Sequence, residues 1–70
     1  MNYLTQSVGK NLKQARKSEN LTQKDVAALL NMPQQQYSRY ETGAIELNYR
    51  QIVVLCKLYK ISPNDLFETD

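Results

Sequence analysis

The stretch LTQKDVAALLNMPQQQYSRYETG, residues 21–43, encodes two short helices and the turn between them. Thr22 followed three residues later by Asp25 reads as a capping box: the hydroxyl accepts a free helix N–H and the carboxylate reaches back to the cap. A helix is expected over Gln23–Leu30, with Val26, Ala27 and Leu30 on one face. Asn31 then ends it, because Asn tolerates a left-handed backbone better than most residues. Pro33 lacks an N–H and so suits the first turn of a new helix. That helix is expected over Gln34–Thr42, burying Tyr37 and Tyr40, with Gly43 closing it. Ala27 is small enough for the second helix to cross the first closely.

Upstream, Val8, Leu12 and Ala15 form an apolar helical stripe, while Lys10, Lys13 and Lys17 point to solvent and Asn20 ends the helix. Downstream, Asn48 opens a fourth helix, with Gln51 as its capping partner. At about 100° per residue, Tyr49, Ile52, Val53, Leu55, Cys56 and Tyr59 fall on one broad arc, and Val54 and Leu58 fall opposite. Ser62-Pro63 opens a last short helix through Leu66 and Phe67, with Pro63 at N1 and Asp65 favourable in the first turn. Nothing reads as a strand. The expectation is an all-α, five-helix bundle forming a single domain over residues 1–70.

Composition narrows the function. Hydrophobic residues make up 41% and charged residues 23% of 70 residues, ordinary globular usage that argues against disorder. No apolar run is long enough to span a membrane, and no secretory signal opens the chain, so an intracellular protein is expected. One cysteine and no histidine cannot assemble a metal site or an internal disulfide. Without a nucleophile–base pair or a phosphate-binding glycine loop, an enzyme is not expected, and no cofactor is called for. Charge is unevenly placed. Lys10, Lys13, Arg16, Lys17, Lys24 and Arg39 against Glu19 and Asp25 give residues 1–40 a charge of +4. Arg50, Lys57 and Lys60 against Glu41, Glu46, Asp65, Glu68 and Asp70 give the rest −2. One half suits an anionic partner, although chance asymmetry of a solubilising surface would look the same.

Leu21 through Leu30, then Gln36-Tyr37-Ser38-Arg39-Tyr40-Glu41-Thr42-Gly43, resembles the Cro/C1/Xre family of helix-turn-helix DNA-binding domains. Val8-Gly9, Leu12 and Ala15-Arg16 upstream, and Leu55 to Phe67 downstream, extend the resemblance over roughly Ser7 to Phe67. The Leu-Thr-Gln opening and the Ser-Arg-Tyr-Glu-Thr-Gly close are its most specific parts. The resemblance implies a lambda-repressor-like bundle whose helix 34–42 enters the major groove of double-stranded DNA. Gln34, Gln35 and Arg39 are then the base readers, since Gln pairs with adenine and Arg with guanine. Gln36 and Ser38 suit phosphate or neighbouring bases. Outside this context, a glutamine-rich helix face is usually just solvated surface.

Gln23 in the family binds a phosphate, helped by the free N–H groups at its helix start. Lys24 and Lys10 add nonspecific attraction, and Asn48 and Arg50 are weaker phosphate candidates. Arg16 and Glu41 take a structural role by the same resemblance, as a partly buried pair joining the first helix to the recognition helix. Some positions depart from the pattern. Pro33 stands where Ser or Thr usually caps, Ala44 and Ile45 replace positions often basic, and Cys56 replaces a small core residue. Such domains act on inverted repeats as pairs. Val54 and Leu58, with Ile61 and Phe67, are the apolar candidates for a homodimer interface. The expected function is a bacterial or phage transcriptional repressor, cytoplasmic and nucleoid-associated, too short to carry a separate sensor. The alternative is an antitoxin or protein-interaction module built on the same fold.

Overall fold

The computed structural model describes residues 3–69; Asp70, counted above with the acidic half, and the first two residues of the expected domain lie outside it. Five helices follow in order: α1 Tyr3–Ser18, α2 Gln23–Leu29, α3 Gln34–Thr42, α4 Tyr49–Tyr59 and α5 Pro63–Phe67. There is no strand among the described residues, and the fold is all-α.

Local chemistry accounts for most of the boundaries. Thr22, Asn48 and Ser62 each cap a helix, and each forms the reciprocal pair with the residue at N3: Asp25, Gln51 and Asp65 respectively. Four residues adopt the left-handed conformation that stops a helix: Asn20, Asn31, Lys60 and Gly43. Pro33 is not inside the first turn of α3. It stands at the N-cap, extended at φ −64° and ψ 146°, and supplies no side-chain hydrogen bond, so α3 starts with its first N–H groups uncapped.

Leu12, Val26, Tyr37, Leu55 and Leu66 are fully buried, one from each helix, and Ala27, Tyr40, Cys56 and Tyr59 complete the core. α1 is the hub and packs on α3, α5 and α4. Gly9 makes its contact with α3 possible, because a Cβ there would meet the backbone oxygen of Glu41 and sit 2.7 Å from that of Tyr40. Two residues further along α1, the Asn11 carboxamide donates to the carbonyls of Leu66 and Glu68, both at 2.8 Å. It thereby satisfies acceptors that α5 cannot satisfy itself.

α4 departs from the expected arc. Ile52, Leu55, Cys56 and Tyr59 face inward, but Tyr49 is 89% exposed and Val53 is 50% exposed. α1 and α5 pack on this helix most extensively, and α3 reaches it through Tyr37 and Tyr40; its buried stripe is narrow at the N-terminal end. Toward the C-terminal end it widens. Lys60, left-handed at φ 58°, turns the chain back, and Leu58 and Ile61 become half-buried against the core. Of the four residues expected at a dimer surface, Leu58 and Ile61 are thus half-buried, and Val54 and Phe67 are exposed. Val54 is exposed and lines a hollow with Leu29, Leu30 and Met32, whereas the exposed Phe67 borders another with Leu4, Val8 and Ile45. Cys56 is buried, and burial pushes its thiol above the ordinary range.

Candidate nucleic-acid interface

α3 is a nine-residue helix with two unlike faces. Tyr37, Tyr40 and Glu41 are buried; Gln34, Gln35 and Arg39 are exposed, and Gln36 and Ser38 are half-buried between them. The buried face is held by polar as well as apolar contacts. Arg16 grips Glu41 with both ends of its fork: Nε donates to Oε2 at 2.7 Å and the terminal nitrogen to Oε1 at 3.1 Å. Each residue is only 7% exposed. Arg16 also donates to the carbonyl of Leu21 at 2.8 Å, tying down the segment that leads into α2. The bidentate pairing raises the guanidinium pKa despite burial. Burial alone would push the Glu41 carboxyl up, but donors from Arg16, Gln23 and Tyr37 outweigh it and hold it below its ordinary value.

Beneath this pair, the hydroxyls of Tyr37 and Tyr59 share a hydrogen bond of 2.6 Å. Burial above all pushes Tyr37 far beyond the usual phenol range and Tyr59 up to about 12, so both remain neutral in the core.

The exposed face divides into tethered and untethered side chains. Gln23 Nε2 donates to Glu41 at 3.0 Å, and Gln34 Nε2 donates to the Gln23 carbonyl oxygen at 3.4 Å. A continuous polar chain thus runs from buried Arg16 to the first residue of α3. Gln36 Nε2 donates to the Tyr40 hydroxyl at 3.1 Å. The side chains of Gln35 and Arg39, by contrast, make no hydrogen bond or ion pair among the described residues. They lie four apart, hence one above the other on one helical face.

A model of the family described as Helix-turn-helix matches residues 12–66. The chain belongs to the Cro/C1-type helix-turn-helix family. Membership supports a DNA-binding regulator, and the matched stretch takes in the whole of α2 and α3. Among curated proteins, the chain is 32% identical over 63 residues to Antitoxin PezA of Streptococcus pneumoniae serotype 4 (strain ATCC BAA-334 / TIGR4). The matched stretch is 90% of this chain but only 40% of that protein. No helix among the described residues is long and apolar enough to cross a membrane.

Within the family's motif, the structure brings Gln23 and Gln34 into contact, sets Gln35 and Arg39 on the open face beside them, and leaves Lys24 exposed at the start of α2. Asn48 and Arg50 are exposed at the start of α4, where the Asn48 side-chain Oδ1 already accepts the Gln51 N–H at 2.8 Å as a cap bond. Lys10 is exposed on α1, two turns from Arg16. Reading the residues alone missed the polar end of Tyr40. The available signal was the Gln36–Tyr40 spacing of four, together with the rule that a buried tyrosine hydroxyl finds a partner.

Proposed function

We propose that this chain is a sequence-specific double-stranded DNA-binding transcriptional regulator acting as a repressor. α3 enters the major groove, and Gln34, Gln35 and Arg39 read base edges, each good pair contributing about 1–3 kcal/mol of discrimination. Gln23, Lys24, Gln36, Ser38, Asn48 and Arg50 contact the backbone or flanking bases and fix the register. The observation that carries this reading is the pair Gln35 and Arg39: exposed, stacked on one face and uncommitted, on a helix whose opposite face is locked in place. Two copies bind the half-sites of an inverted repeat, with Val54 and Phe67 the accessible members of the apolar set.

Selection of bound sites from random duplexes tests the reading. A short inverted repeat is the expected product, and Gln35→Ala then relaxes preference at one base pair per half-site. A pool with no enriched motif overturns it. Lys24→Ala weakens all sequences alike and lowers the salt slope by about one. For the dimer, light scattering should register a lower mass for Val54→Glu than for the parent on the same duplex.

A second reading draws on the relative's name: the chain is the DNA-binding part of an antitoxin. It calls for a toxin-like protein partner encoded beside it. Co-expression of that neighbour with the chain and recovery of a stable complex distinguish it from a stand-alone repressor.

A further inference from the structure

The α3–α4 junction is built unlike the others. α1 packs closely on α3, and α2 packs closely on α3, whereas α3 and α4 are not packed along their lengths. Residues 43–48 connect them with no helix. The Tyr37–Tyr59 hydroxyl pair joins α3 to the C-terminal end of α4, and at the start of α4 the link is one further phenol. The Tyr40 ring is buried, and its hydroxyl accepts from Gln36 Nε2 at 3.1 Å and from Gln51 Nε2 at 3.0 Å. Gln51 in turn accepts the Asn48 N–H at 2.9 Å through its own carbonyl oxygen and completes the α4 cap. A carboxamide on the recognition helix is therefore linked, through one oxygen atom, to the first turn of α4.

We infer that Tyr40 is a positioning residue for DNA binding: its hydroxyl sets the angle between α3 and the start of α4, so that base contacts by Gln35 and Arg39 and backbone contacts by Arg50 form on the same duplex together. Gln36 is then a strut of this joint, and of the two contacts proposed for it above, backbone or flanking base, only the backbone contact remains. The assignment rests on the DNA-binding reading above. The physical reason for it is economy of contact. Two elements that touch a duplex at different places bind well together only if their relative position is set beforehand, and the start of α4, far from the Tyr37–Tyr59 pair, has no broad packing on α3 to set it.

Tyr40→Phe removes the oxygen and keeps the ring, so the core is preserved. The test is a double-mutant cycle with Arg50→Ala, measured on a duplex selected by the parent chain, with circular dichroism and thermal midpoint recorded for each variant. Tyr40→Phe is expected to keep the helical spectrum and to lower affinity about fivefold to tenfold. The penalty of Arg50→Ala is expected to shrink at least about threefold in the Tyr40→Phe background, because the two contact sets are already uncoupled. A merely structural tyrosine leaves that penalty unchanged. Unchanged affinity in Tyr40→Phe, or an undiminished Arg50→Ala penalty, overturns the inference while leaving DNA binding intact. A loss of base preference in Gln36→Ala at a single position also overturns it, since Gln36 would then be a reader. A parent chain that enriches no duplex overturns the DNA reading and this inference with it.

Discussion

α3 is gripped from α1 and from α4 by opposite means. On the α1 side the contact is tight and deep: Gly9 admits the α3 backbone, and a buried bidentate ion pair closes the joint. On the α4 side there are the Tyr37–Tyr59 hydroxyl pair at the far end, one shared hydroxyl at the near end, and a six-residue connection. The first joint fixes where α3 sits. The second sets how the start of α4 is aimed. On the DNA-binding reading proposed above, stability and recognition fall to different sides of the same helix, and substitutions should separate them.

The most severe way to break the contrast is Gly9→Ala. The new Cβ would lie against backbone atoms of α3, including the Glu41 carbonyl carbon at 2.8 Å, and backbone cannot turn away as a side chain can. A loss of about 3 kcal/mol or more is expected in urea unfolding, with α3 displaced. A stability equal to the parent's would mean that the joint is not tight. Next comes Arg16→Ala, which leaves Glu41 buried without its cation and should also cost about 3 kcal/mol. An unchanged thermal midpoint would reassign the pair to the surface.

Acid response is a finer probe of the same joint. Glu41 is held below its ordinary carboxyl value of 4.5, so its charge adds stability above that pH, and the contribution is lost as pH falls through the folded value. Asp25 and Asp65, both lowered chiefly by the backbone N–H bonds of their caps, add to the acid loss. The Glu41 share is whatever disappears in Glu41→Gln. Parallel midpoint-versus-pH curves for parent and variant would contradict a role for this carboxylate. The smallest effect belongs to the α4 side. Asn48→Ala should cost about 1 kcal/mol as a lost cap, with α3 undisturbed in amide exchange. A change in α3 protection would show the two joints to be less separate than their geometry implies.

Much of this architecture was legible in the residues because helix ends carry their own chemistry. Thr22, Asn48 and Ser62 each announce a start, and Asn31 and Gly43 announce stops, without reference to the rest of the fold. Family resemblance placed Arg16 beside Glu41. Tyr49 and Val53 were misread for a physical reason: helical periodicity says which residues share a face, not how wide a face its neighbours will cover. The left-handed turn at Lys60 was not legible, because lysine rarely signals that conformation. Tyr40 was legible as core and illegible as a joint. Its ring follows the apolar stripe, but the partners of its oxygen include Gln51, eleven residues away on a different helix.

The bonds from Asn11 to the carbonyls of Leu66 and Glu68 carry a consequence for how the chain is made. They join positions 55 and 57 residues apart, so the first helix is synthesised well before its own closing partners exist. Until the last helix has been synthesised, α1 waits with the surface that α5 will cover still open. Completion of the native state is therefore a late, single event rather than a progressive one. A nascent chain halted before Leu66 would hold the motif's two helices without the clasp that closes the bundle around them.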